Sequence, residues 1–234
     1  MFALKIKKII YCLFYPNFIL SYLRNVCPLF ELKEFISYIK NVDCLVDIGS
    51  NKGQFSLLFR YFHPKSKIYS FEPQKKYLDI QKKLLKNRIK FYNFCLGQKK
   101  KYGFLNITEK EDSSSILRPK ILEKSIYKIK KKQKIKIDKL DNILDLSKHS
   151  NILIKIDVQG YEKQVLLGAN KTLKKTKYII IELTNTEVYK NQSKKNEIIQ
   201  LLNKKKFKLI KISNFETLSK YSYIADYLFV NKNL

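Results

Sequence analysis

Cys44-Leu45-Val46-Asp47-Ile48 runs directly into Gly49-Ser50-Asn51-Lys52-Gly53, and the reading of this stretch decides the fold. The first five residues are an apolar run broken only by one carboxylate, the pattern of a strand buried on both faces. The next five bend the chain between two glycines. From Gln54 to Phe62 apolar side chains recur at helical spacing. Outward from there, Lys67 to Phe71 is a predicted second strand ending at Glu72-Pro73, Tyr77 to Lys86 a predicted helix, and Ile89 to Cys95 a predicted third strand closed by Gly97. Strand and helix in this alternation predict an α/β fold with parallel pairing and right-handed crossovers.

The remaining chain extends the pattern. Leu32 to Lys40 reads as a short amphipathic helix before the first strand. Tyr102 to Thr108 reads as a strand, Ser113-Ser114-Ser115 as a loop, and Lys120 to Lys136 as a solvated helix or flap because of its lysine content. Alternation resumes with strand Ile152 to Ile156, helix Tyr161 to Ala169, strand Tyr178 to Glu182, helix Asn196 to Lys206, and strands Phe207 to Ile212 and Asp226 to Val230. Only a loop separates the last two, which predicts an antiparallel hairpin at the sheet edge. At 234 residues and 27.9 kDa the chain suits one such domain, residues 42–234, preceded by a basic-aromatic helical arm, residues 1–41.

The chemistry collects at strand ends. Asp47 lies near the end of the first strand and Glu72 follows the second, about twenty residues past the glycine turn, where a carboxylate can accept both hydroxyls of a ribose. Dinucleotide folds instead use three glycines to seat a pyrophosphate on a helix N-terminus, and only two are present here. Strand, glycine turn, helix, strand and acid therefore describe a nucleoside site without a phosphate site, and S-adenosylmethionine is the common ligand of that description. Asp157 closes the fourth main strand on the same sheet edge, with Glu162 at the opening of the next helix. Methyl transfer to a hydroxyl depends mainly on alignment, helped by a base near the acceptor oxygen. Asp157 is the first candidate for that base, Glu162 the second, and Glu182 a further acceptor-side group. The bland readings are a turn former for Asp157, a helix N-terminal carboxylate for Glu162 and a capping carboxylate for Asp47. No histidine accompanies these acids, so no metal site is predicted.

Val46-Asp47-Ile48-Gly49-Ser50-Asn51-Lys52-Gly53-Gln54-Phe55-Ser56, Phe71-Glu72-Pro73, Ile154-Lys155-Ile156-Asp157-Val158-Gln159-Gly160-Tyr161-Glu162, Gly168-Ala169 and Ile181-Glu182-Leu183 together resemble the successive signatures of FkbM-type methyltransferases. The resemblance runs from about residue 42 to 188 and leaves out both the arm and the lysine-rich flap. It implies a Rossmann-like class I fold with a seven-stranded, mostly parallel sheet, S-adenosylmethionine as donor, and an oxygen acceptor on a sugar, glycan or related small molecule. It also implies that Asp47, Gly49, Asn51 and Gly53 surround the amino-acid and sulfonium end, that Glu72 of the Glu72-Pro73 pair holds the ribose, and that Asn93 and Leu96 line the adenine.

Forty-eight Lys and Arg against twenty Asp and Glu give +28, which suggests an anionic partner. Lys, Asn, Ile, Tyr and Phe also abound together while Gly and Pro are scarce, so drift in composition explains the same excess. A nucleic-acid acceptor is disfavoured, because enzymes acting on base amines commonly carry an Asn/Asp-Pro-Pro-aromatic segment where this chain has Asp157-Val158-Gln159-Gly160. Residues 1–26 alternate lysines with aromatics and are too interrupted by charge and Pro16 to span a bilayer. They read as an arm packed on the domain or on a second subunit of a homodimer, or as a segment resting on an anionic membrane. No signal-peptide pattern is present, so the expectation is a cytoplasmic protein, with a peripheral position on the inner membrane face as the variant. Cys12, Cys27, Cys44 and Cys95 form no CxxC pair and are expected to be reduced thiols, and His63 to face solvent.

Overall fold

The computed structural model describes residues 15–120, 125–219 and 222–234. In chain order the strands are β1 (Cys44–Ile48), β2 (Lys67–Phe71), β3 (Ile89–Tyr92), β4 (Cys95–Leu96), β5 (Lys101–Thr108), β6 (Ile129–Asp138), β7 (Ile152–Ile156), β8 (Thr176–Thr184), β9 (Phe207–Ile212), β10 (Glu216–Ser219) and β11 (Ser222–Asn231). The main sheet runs β3-β2-β1-β7-β8-β11, with β9 and β10 both pairing the far edge of β11. Pairs from β3 to β8 are parallel, and β11 is antiparallel to its neighbours. This is the Rossmann-like, mostly parallel α/β sheet, with the antiparallel edge, that the sequence predicts. The expected seventh strand is divided around residues 213–215, which makes the sheet eight-stranded.

Parallel strands are covered on both faces, and β1 is buried at every position. One face packs Val46, Ile154, Ile156 and Ile181 against Val165, Leu166 and Leu202 of the helices Glu162–Leu167 and Lys195–Lys204. The other packs Leu45, Leu153 and Ile180 against Phe55 and Phe59 of helix Gln54–Phe62. Each fully buried Phe contributes roughly 1.5–3 kcal/mol by leaving water. The described part of the arm adds Phe18, Val26 and Phe30 to this second cluster, and the Phe18 ring lies 5.2 Å from that of Tyr61. Residues 1–14, with Cys12 and most of the segment expected to reach a membrane, lie outside the described residues. No described helix is long and apolar enough to cross a membrane.

Three expectations about the fold are corrected. The third strand ends at Tyr92 rather than Cys95, because the Asn93 amide donates to the carbonyls of Glu72 (3.0 Å) and Pro73 (2.9 Å) and turns the chain out of the sheet. Cys95 and Leu96 then pair with β6 in a separate three-stranded sheet, β4-β6-β5. The lysine-rich stretch is not a solvated helix or flap from Ile129 onward but strand β6, in which Ile135 and Ile137 alternate inward between outward lysines; one short 3-10 turn, Ser125–Tyr127, precedes it, and residues 121–124 lie outside the described residues. His63 does cap its helix, but it is half-buried rather than solvent-facing, since its ring stacks on Phe59 at 4.6 Å and burial pushes its pKa down. Cys44 and Cys95 are free thiols.

Candidate functional site

The carboxyl ends of β1, β2, β7 and β8, with the amino end of the antiparallel β11, open on one cleft of about 670 Å³. Open α/β sheets place ligands at this edge because chain reversal leaves a crevice between neighbouring crossovers. Asp47, Gly49, Asn51, Glu72, Pro73, Leu96, Asp157 and Glu182 all line it.

The glycine turn is shaped by its neighbours. Gly49 has φ +77, and a Cβ there would stand 1.8 Å from the Asp157 carbonyl oxygen, so β1 and β7 approach each other only through a bare backbone. Gly53 has φ +85 and starts helix Gln54–Phe62; its added Cβ would meet Gln81 at 2.9 Å. Gly53 does not line the cleft, and its place is structural. Gln81 beneath it is fully buried and ties the turn together, donating to Ser50 Oγ (2.8 Å) and the Asn51 carbonyl (2.6 Å) and accepting from Ser70 Oγ (2.7 Å). Asn93 likewise stays behind the wall, fixing the Glu72-Pro73 backbone rather than lining the cleft.

Asp47 is fully buried, and burial raises its pKa. Its Oδ2 accepts from Ser56 Oγ at 2.6 Å, while Oδ1 has no protein partner. Glu72 accepts from Asn51 N (2.9 Å) on Oε2 and from Gln74 N (2.8 Å) on Oε1. Burial pushes its carboxyl up to about 7, against those two amides. Asn51 holds φ +48, a left-handed conformation that asparagine tolerates, and its Oδ1 is buried without a partner. Orphaned oxygens on Asp47 and Asn51, with the Glu72 carboxyl on the same cleft, fit a cation that also offers hydroxyl and amine donors. A sulfonium nucleoside with an amino-acid tail meets that description.

On the acceptor side, Lys155 projects from near the carboxyl end of β7 at 3% exposure and pairs with Asp157 Oδ2 at 2.9 Å. Burial opposes ionisation of Asp157, but Lys155 and Gln159 outweigh it and hold the carboxyl below its usual range. Burial raises Glu182 well above the ordinary carboxylate range, and Asp157 raises it further. Asp226, in register with Glu182 across β8 and β11, is pushed by burial up to about 6. Gln159 Nε2 donates to both Asp157 Oδ1 (3.0 Å) and Glu182 Oε2 (2.8 Å), and its own carbonyl accepts from Tyr189 Oη (2.9 Å). An ionised acid beside a protonated one is an arrangement that can orient a hydroxyl and receive its proton. Glu162 stands apart. It is buried outside the main cleft, and its Oε1 accepts from Val158 N (3.3 Å) and Gly160 N (2.9 Å), clamping the loop that carries Asp157. Burial pushes Glu162 up to about 7.

Lys155, Gln159 and Asp226 are cleft residues that the sequence reading passed over as functional. Lys155 left a signal, because a lone lysine within Ile152-Leu153-Ile154-Lys155-Ile156 interrupts a strand otherwise buried throughout. Asp226 left none, since its approach to Glu182 depends on the β8–β11 register.

The profile of the methyltransferase FkbM domain matches residues 47–209. The chain is 25% identical over 183 residues to 2-O-methyltransferase NoeI of Sinorhizobium fredii, covering 73% of this chain and 75% of that protein. Among solved structures it is similar to a protein in the NADB-Rossmann superfamily from Streptococcus agalactiae, at 11% identity and TM-score 0.49 over 86% of this chain and 67% of that one. A second is magnesium protoporphyrin IX methyltransferase from Synechocystis with bound SAM, at 11% identity and TM-score 0.43 over 80% of this chain and 69% of that one.

Proposed function

Because the chain belongs to the FkbM methyltransferase family and is an S-adenosylmethionine-dependent methyltransferase, we propose that it methylates a hydroxyl oxygen of a sugar, glycan or related small acceptor. The observation that carries this reading is the convergence of Asp47 and Glu72 on one cleft, Glu72 held there by the Asn51 backbone amide, with Asp157 lining the same cleft. The similarity to a 2-O-methyltransferase supports oxygen as the accepting atom.

The bound cofactor supplies an electrophilic methyl group. Asp47 and Asn51 hold its charged amino-acid end through their unpaired oxygens, Glu72 takes the ribose hydroxyls on its remaining lone pairs, and Pro73 and Leu96 wall the base. Asp157 orients the acceptor hydroxyl and receives its proton, with Lys155 keeping it ionised and Gln159 fixing its direction. Burial of this machinery excludes water, which strengthens each charge interaction.

Calorimetric titration of the full chain with S-adenosylhomocysteine tests the donor half. Binding by wild type that is lost in Glu72→Ala supports it; absent binding, or equal binding by the variant, sinks it. Mass spectrometry of glycans from cells with and without the gene tests the acceptor half, with a methyl-sized mass difference on a sugar as the expected result.

A further inference from the structure

The outer face of the β5–β6 ribbon has no role in the site described so far. Tyr102 stands opposite Lys136 and Phe104 opposite Lys134 across the antiparallel pair. Strand alternation sends Leu105, Ile107, Ile135 and Ile137 to the inner face, where they form a small buried cluster. Tyr102 and Phe104 are left 72% and 58% exposed on the other face. Lys134 Nζ lies 5.3 Å from the Tyr102 ring centroid, and Lys136 Nζ lies 5.7 Å from that of Phe94, a ring that itself lines the cleft. Phe94, Lys136, Tyr102, Lys134 and Phe104 thus make one track of alternating rings and ammonium groups leading out of the cleft. A lysine excess from composition alone would scatter charge over every face; it does not explain two large aromatics left open between lysines on a single one.

We propose that this track docks an acidic glycan, one sugar of which enters the cleft while its neighbours lie along the ribbon. The inference rests on the glycan-hydroxyl reading above and specifies its substrate class. Aromatic faces take the apolar C–H faces of sugar rings, and the lysines meet carboxylates spaced along the chain. Charge selects among polyanions. The cleft and its mouth carry Glu72, Glu111, Asp112, Asp157, Glu182 and Asp226 against the two lysines Lys110 and Lys155, so acids outnumber bases there. A polynucleotide would bring a phosphate at every unit against that wall. A glycan charged only at intervals can place a neutral ring in the cleft and its carboxylates on the ribbon.

The test measures binding of the full chain at physiological ionic strength to hyaluronate, dextran, a single-stranded oligothymidylate and phosphatidylglycerol vesicles. Hyaluronate, charged on alternate sugars, is expected to bind most tightly. Tyr102→Ala with Phe104→Ala is expected to weaken it at least about tenfold, as is Lys134→Gln with Lys136→Gln. Lys174→Gln with Lys208→Gln removes equal charge from exposed positions elsewhere and is expected to change affinity less than about twofold. Equal loss in that control, an unchanged affinity in either ribbon variant, or tighter binding of oligothymidylate or vesicles overturns the proposal. S-adenosylhomocysteine titration of each variant reports folding, and its failure in wild type strikes the methyltransferase reading rather than the ribbon.

Discussion

Lys155 and Asp157 lie two residues apart at the end of β7 and form an ion pair of 2.9 Å in which the lysine is almost wholly buried and the acid keeps 26% of its side chain open to the cleft. Burial opposes the charge on Lys155, but Asp157, Asp226 and Asp47 more than restore it. One ammonium group thus balances the acids of three strands. Removing one partner of a buried pair leaves the other uncompensated, so Lys155→Met is expected to cost about 2–3 kcal/mol of unfolding free energy, toward the low end because Asp157 reaches solvent. Urea denaturation at neutral pH measures it; a loss below about 0.5 kcal/mol would mean that the acids do not depend on this cation.

Glu72 sets a pH dependence. Its folded pKa of about 7 lies above the ordinary value of 4.5, so the native state holds a proton that the unfolded chain has released. Stability linked to this group is full below about pH 4.5 and is lost as pH rises through 7. The full loss is roughly 3 kcal/mol. Glu72→Gln removes this titration, and its unfolding free energy should change less than that of wild type between pH 5 and pH 8. Parallel curves for the two proteins would place the ionisation elsewhere.

The two turn glycines should respond unequally. At Gly49 a methyl group meets backbone, the Asp157 carbonyl at 1.8 Å, at a positive φ. At Gly53 the nearest contact is the Gln81 side chain at 2.9 Å, which can shift. Gly49→Ala is therefore expected to cost more than about 3 kcal/mol and Gly53→Ala about 1–2 kcal/mol. Thermal melting of both variants decides the order, and equal losses would show that backbone strain alone governs the turn.

What the sequence made legible follows from the range of the forces involved. β1, β2, β7 and β9, together with helix Gln54–Phe62, have the bounds their local pattern predicts; in β1, β2 and β7 burial at nearly every position writes a run of mostly apolar residues into the chain. The cleft positions of Asp47, Gly49, Asn51, Glu72, Asp157 and Glu182 were legible for a related reason, since each sits at a fixed offset from a strand end. Gly53 and Asn93 sit at such offsets too, yet their tasks are backbone tasks decided by Gln81, Leu85 and Pro73, which sequence spacing does not bring together. In β6, five lysines between Lys130 and Lys136 hid a period of two that only Ile135 and Ile137 carry, and charge density suggested a flap.

The two acids proposed for the acceptor side separate by what they touch. Asp157 lines the cleft, is ionised with the help of Lys155, and shares Gln159 with the protonated Glu182. Glu162 faces two backbone amides of the loop below. If Asp157 aligns the hydroxyl and takes its proton, Asp157→Asn should lower kcat about 100-fold or more, the usual worth of a positioned acid–base group, while S-adenosylhomocysteine affinity stays within about threefold. Glu162→Gln keeps one acceptor for those amides, so its main effect should be a stability loss of about 1 kcal/mol with kcat within about tenfold of wild type. Single-turnover methylation of an identified acceptor, run beside denaturation of each variant, separates the two. A large kcat loss in Glu162→Gln with Asp157→Asn nearly active would exchange their roles, and would mean that the loop opens far enough during turnover to bring Glu162 into the cleft.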